Sequence, residues 1–189
     1  MTEIKRLFDI PKFQLNKYNL PVAFVTKTNG KWQPISSKEY VSKSNNLSKA
    51  LLKFGVKPND KIAIITNRTR TEWHIADIAI MQIGAQSVPI YDSTSIAEME
   101  YIFNHAEIKF CFVASKELFK KTETLKSKTL LKKIISFDKI IQENSIYDLI
   151  NIGESLSNLQ EVERIKNNGS TTNLVGKDLS HHEKRVLHF

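Results

Sequence analysis

The segment Asp60–Tyr91, DKIAIITNRTRTEWHIADIAIMQIGAQSVPIY, constrains the fold more than any other. Lys61 to Thr66 is a β-branched run without polar alternation, the pattern of a strand covered on both faces of a parallel sheet. After the polar turn Asn67 to Glu72, the residues Trp73, Ala76, Ile80 and Ile83 form one helical stripe. Ile75, Ile78 and Ala79 widen that stripe until little polar surface remains, and a helix apolar nearly all round is an internal one. Gly84 closes it, and Gln86 to Tyr91 returns as a second strand whose Pro89 places it near a sheet edge or ends it early. The connection is too long for a hairpin, so the segment forms a βαβ unit.

The flanking sequence extends this pattern. Asn29 and Gly30 join the β-prone runs VAFVTKT and KWQPIS into a tight hairpin, because an Asn-Gly pair supplies the positive φ angles of a type I′ turn. Before it, Pro11 breaks any long helix, and Leu7, Phe8, Ile10, Phe13 and Leu15 are expected to lie against the body of the domain. Ser36 and Glu39 have capping-box spacing at the start of an amphipathic helix over Ser37 to Phe54, carried by Tyr40, Ser44, Leu47, Leu51 and Phe54 and stopped by Gly55. The same spacing recurs at Thr69 and Glu72, and again at Ser95 and Glu98. The last pair opens a helix with Ile96, Met99, Ile102, Phe103 and Ala106 on its apolar side. Strands are expected at Phe110 to Ala114 and Lys133 to Phe137, with a helix from Ser115 to about Leu125 between them. Beyond Asp138 the signal is limited to a short helical turn near Tyr147 and a helix from about Ser155 to Lys166. The alternation βαβαβαβ implies a mainly parallel, layered α/β sheet with right-handed crossovers, preceded by a β-hairpin.

Composition bounds the rest. At 189 residues the chain holds one ordinary domain with a real core and not two large ones. No apolar run approaches the ~20 residues of a membrane-spanning helix. MTEIKRLFDI lacks the apolar stretch of a secretory signal, so the expected location is cytoplasmic. Cys111 is the only cysteine and lies in the apolar run FCFVAS, which excludes an internal disulfide and fits a small core residue. Much of the net charge of +8 is local to Lys116, Lys120, Lys121, Lys126, Lys128, Lys132 and Lys133. That segment has Phe119 but no interleaved aromatics to stack on bases, so a solvated face is favoured over a nucleic-acid patch.

The usual chemical constellations are missing: there is no GxGxxG, GxxxxGK[ST], HExxH or GxSxG. His74, His105, His181, His182 and His188 do not sit with carboxylates or cysteine at metal-ligand spacing. Two stretches could take an anion. The turn Asn67 to Glu72 lies at the carboxyl end of a parallel strand and the amino end of a helix, where backbone N–H groups and the helix dipole favour anions. Equally, the turn could simply cap the internal helix, with Arg68 or Arg70 paired to a carboxylate. The second stretch is Asn168 to Lys177, NGSTTNLVGK, whose small hydroxyl residues beside glycine resemble a phosphate loop, although no strand is expected in front of it.

The run from Gly55 to Ser115 resembles the amino-terminal portion of AMP-forming acyl-CoA synthetases, particularly long-chain fatty acid–CoA ligases. The matching pieces are Gly55-Val56 with Asp60-Lys61, Asn67-Arg68 with Glu72-Trp73, Ala76-Asp77, Gly84-Ala85, and Val88-Pro89-Ile90-Tyr91. Ser95, Glu98 and Tyr101-Ile102 continue the match, and RLFDI with KWQPIS extends it over about Arg6 to Lys166. The resemblance implies that a fatty acid carboxylate attacks the α-phosphate of Mg-ATP, releasing pyrophosphate, and that the thiol of coenzyme A then displaces AMP. It implies fatty acid, ATP, Mg2+ and coenzyme A for the whole family enzyme, none bound tightly by this chain, and no nucleic acid. Peripheral membrane contact and self-association are left open.

Most family groups for this chemistry lie downstream of the matched region: a Ser/Thr/Gly-rich loop, a Thr-Glu pair, a ribose-binding aspartate and a carboxy-terminal lysine. Only Thr171 and Thr172 carry over, as ATP-phosphate contacts, because the Tyr-Thr-Ser-Gly opening is absent and Lys177 is displaced. The expectation is an amino-terminal α/β portion over residues 1–166, a divergent and poorly ordered polar tail over 167–189, and a truncated or frame-shifted ligase relative inactive alone. On that reading Arg68 and Glu72 serve architecture and not catalysis. The alternatives are a non-catalytic nucleotide- or partner-binding α/β domain, and a basic protein that binds nucleic acid through Lys116 to Lys133.

Overall fold

A computed structural model describes residues 4–28, 30–139, 145–157 and 159–168. Four parallel strands form its centre: β3 (Lys61–Thr66), β4 (Gln86–Tyr91), β5 (Phe110–Val113) and β6 (Lys133–Ser136), in the spatial order β4, β3, β5, β6. β3 is sandwiched in register between Ile62↔Ser87 on one side and Ile62↔Phe110 on the other. Its residues Ile62 to Ile65 are buried, as are all four of β5, because helices cover both faces. Among the described residues β4 is an edge strand, in keeping with Pro89, since a residue without an N–H is harmless on the side where no described strand needs a donor.

Three connections set the layers. From β3 the chain passes through α3 (Thr71–Gln82) to β4, then back across β3 through α4 (Ile96–His105) to β5, and on through α5 (Lys116–Glu123) to β6. Right-handed crossovers that reverse direction put α3 on one face and α4 with α5 on the other. Joining the α3 layer are α2 (Ser37–Lys53), α6 (Ile146–Glu154) and α7 (Leu159–Asn168). The fully buried Leu47, Leu51, Ile80 and Ile83 come from the first layer and Met99 and Phe103 from the second. None of the described helices is long and apolar enough to cross a membrane.

Local chemistry explains most element ends. In α2 the Glu39 N–H donates to Ser36 Oγ at 3.2 Å while the Ser36 N–H donates to Glu39 Oε2 at 2.8 Å, and Ser95 with Glu98 repeats this at α4. Pro11 sits in the first turn of α1 (Ile10–Tyr18), where its missing N–H costs nothing, so it starts a helix and does not only limit one. Phe8 is buried as expected, whereas Leu7 and Ile96 are exposed. The hairpin of β1 (Phe24–Thr28) and β2 (Lys31–Ile35) pairs Thr28 with Lys31 across a two-residue loop, with Gly30 at φ 78°.

Two expectations need correction. The turn near Tyr147 is a nine-residue helix, α6, opened by a capping box in which Asp148, not Glu or Gln, faces Ser145. Its Ile146, Leu149, Ile150 and Gly153 are buried against α2 and the core. The Thr69–Glu72 spacing, by contrast, is not a capping box. Arg70 is the N-cap of α3 and no side chain of its own turn caps the helix. Instead the Thr71 N–H donates to Thr26 Oγ1 of the hairpin at 3.1 Å, so a distant strand satisfies a donor that the local sequence leaves open.

Gly153 marks a close approach of α6 to α2. A Cβ there would lie 1.8 Å from the Asn46 carbonyl oxygen of α2, an atom that moves only with the helix backbone. Gly153→Ala is therefore expected to destabilise the chain by about 3 kcal/mol, the upper end of overpacking costs, seen as a lowered urea midpoint. Gly30→Ala meets no atom within 4 Å and strains only its positive φ, so it should cost about 1 kcal/mol.

Candidate functional site

In doubly wound sheets ligands collect where the strand order reverses, outside the carboxyl ends of the strands. Here the reversal lies between β3 and β5, so the loops following Thr66 and Val113 define the position. The residue delivered to it is Arg70, whose surface is only 4% exposed.

The guanidinium makes four hydrogen bonds to protein. Nε donates to Glu72 Oε2 at 3.1 Å and Nη2 to Glu72 Oε1 at 3.0 Å, a bidentate pair. Nη2 also donates to Asp138 Oδ1 at 2.8 Å, just beyond β6, and Nη1 to the Ala114 carbonyl at 3.2 Å, just beyond β5. Tyr147 of α6 donates its hydroxyl to Glu72 Oε1 at 2.6 Å, and the Phe137 ring lies 5.7 Å from the guanidinium carbon.

This arrangement determines the protonation states. Burial works against a charged Glu72, but the hydrogen bonds from Arg70 and Tyr147 outweigh it and hold the carboxyl below the usual carboxylate range. Burial, followed by the hydrogen bond to Glu72, pushes the Tyr147 phenol up. Burial lowers the proton affinity of Arg70, but its bonds to Glu72 and Asp138 reverse that and leave it raised. Arg70 and Glu72 therefore form an internal ion pair, with Asp138 half-exposed at its rim and the guanidinium donors directed at protein acceptors.

The two readings of the polar turn are thus resolved for Arg70 in favour of pairing with carboxylates. Arg68, expected to share the architectural role, is exposed with Asn67 and Thr69. Its backbone is fixed by Thr66 Oγ1, which donates to the Arg68 carbonyl at 2.6 Å and accepts from its N–H at 3.3 Å. Glu72 does serve architecture, through Arg70 and Tyr147. Asp138 and Tyr147 were not foreseen. Their only sequence signal was position: an acid directly after a strand end, and a Tyr on a helix whose length was underestimated.

Elsewhere the sequence candidates separate. Cys111 is fully buried in β5, and burial pushes its thiol up. His74 stacks on Phe24 with ring centroids 5.0 Å apart, and His105 stacks on Tyr101 at 5.7 Å, so both belong to aromatic packing. Several lysines of the basic segment have partners in the protein. Lys121 Nζ donates to the Asp92 and Thr94 carbonyls, Lys128 pairs with Glu100, and Lys133 lies over the Phe54 ring. Thr171, Thr172, the rest of the polar tail and the three carboxy-terminal histidines lie outside the described residues. Among the described residues no group of three or more His, Cys, Asp or Glu could hold a metal ion.

A model of the family described as AMP-binding enzyme matches residues 14–175. The chain belongs to that family. Its relatives include fatty acyl-CoA synthetase B of Dictyostelium discoideum, 30% identical over 115 residues, covering 61% of this chain and 17% of the relative. Human long-chain-fatty-acid–CoA ligase ACSBG2 is 24% identical over 160 residues, covering 80% and 24%. Among solved structures, the long-chain-fatty-acid-CoA ligase FadD1 of Archaeoglobus fulgidus superposes with a TM-score of 0.68 at 18% identity, covering 81% of this chain and 31% of that one. The N-terminal domain of FACL13 from Mycobacterium tuberculosis gives 0.64 at 13% identity, covering 82% and 37%. The chain thus corresponds to an amino-terminal portion of such ligases and spans a quarter or less of the length of these two curated relatives.

In an AMP-binding enzyme the switch-point position invites a nucleotide, but the Arg70 cluster there does not offer its charges to ATP phosphates or Mg2+. Arg70 is neutralised from within, the Thr71 N–H is taken by Thr26, and the carboxylates face a guanidinium. Arg70→Met is expected to cost about 3–5 kcal/mol because it leaves Glu72 buried without its counter-ion. Tyr147→Phe should cost about 1.5–3 kcal/mol, since it deletes one hydrogen bond to a charged group. Because the folded pKa of Glu72 is depressed, its contribution is full above the unfolded value, about 4.3, and is lost as pH falls through the folded value. Acid titrations of stability should therefore be flatter below that pH in Glu72→Gln than in the parent.

Proposed function

We propose that this chain is the amino-terminal scaffold of an AMP-forming fatty acid–CoA ligase and does not complete the adenylation reaction alone. The observation that carries the reading is the Arg70–Glu72–Asp138–Tyr147 cluster. It occupies the place where an α/β sheet would offer an anion site, and it spends the charges there on holding strand ends together. Adenylate formation requires donors around the phosphates and a stabiliser for charge developing on the transferring group. On this reading those groups come from family elements other than the described residues.

In the overall reaction the fatty acid carboxylate oxygen bonds to the α-phosphorus of ATP as pyrophosphate leaves. The coenzyme A thiol sulfur then bonds to the acyl carbon as AMP leaves. Support for a fatty acid as the acid comes from the names of the relatives matched, fatty acyl-CoA synthetase B and ACSBG2 among them. Thr171 and Thr172 remain the candidates for ATP-phosphate contacts. They fall inside the family match, which extends to residue 175.

The purified 189-residue chain is expected to show no fatty-acid-dependent exchange of pyrophosphate into ATP. Exchange above a heat-denatured control, abolished by omitting the fatty acid, would overturn the proposal.

A further inference from the structure

We draw no further inference here: the strongest candidate, the exposed outward face of the β1–β2 hairpin around Val25 and Trp32, carries none because nothing in the structure shows what covers it.

Discussion

A guanidinium cannot be removed from water without acceptors, and Arg70 is almost wholly removed. It finds acceptors on three separate parts of the chain: the first turn of α3, the end of β5 and Asp138 just beyond β6. Tyr147 brings in a fourth, α6, through the shared carboxylate of Glu72. The carboxyl ends of three strands are therefore positioned by one side chain. Exchange for well-packed apolar residues could leave such a cluster's net contribution near zero, while loss of a single partner is costly. What the cluster supplies is the relative placement of segments that hydrophobic burial alone would leave free to slide.

Other junctions in the α3 layer follow the same logic, with specific contacts acting on top of an apolar core. α2 and α6 approach until Gly153 faces the Asn46 carbonyl, a distance that admits no side chain. Ser48 donates to the Ala79 carbonyl and lies 2.7 Å from Gln82 Oε1, linking α2 to α3 with polar atoms that are themselves buried. The hairpin is held by the Thr26–Thr71 pair and by Phe24 between Tyr40 and His74.

How much of this was legible depended on whether the determining partner was near in sequence. The parallel sheet, the internal helix α3, the edge placement of β4 and the capping boxes of α2 and α4 are written in residues three or four apart or in strand-length runs. The buried cluster joins Arg70 to Asp138 and Tyr147, more than sixty positions away, and no periodicity carries such a pairing. The same distance effect misled at Thr69 and Glu72. Their spacing suits a local cap, but an arginine beside Glu72 and a threonine on the hairpin offer better partners. α6 was underestimated for a smaller reason, since Asp148 replaces the expected Glu or Gln at its capping position.

The family assignment and the geometry meet at Arg70. An AMP-binding enzyme must hold phosphates somewhere, yet the buried cation at this switch point, Arg70, is committed to the protein. The most direct measurement is the side-chain Nε–H resonance of Arg70 in a nitrogen-15 labelled chain, followed by hydrogen exchange with and without pyrophosphate. The account predicts a slowly exchanging proton whose shift is unchanged by saturating pyrophosphate. A rapidly exchanging proton, or one that moves on pyrophosphate addition, would show a guanidinium available to ligand and would contradict the account.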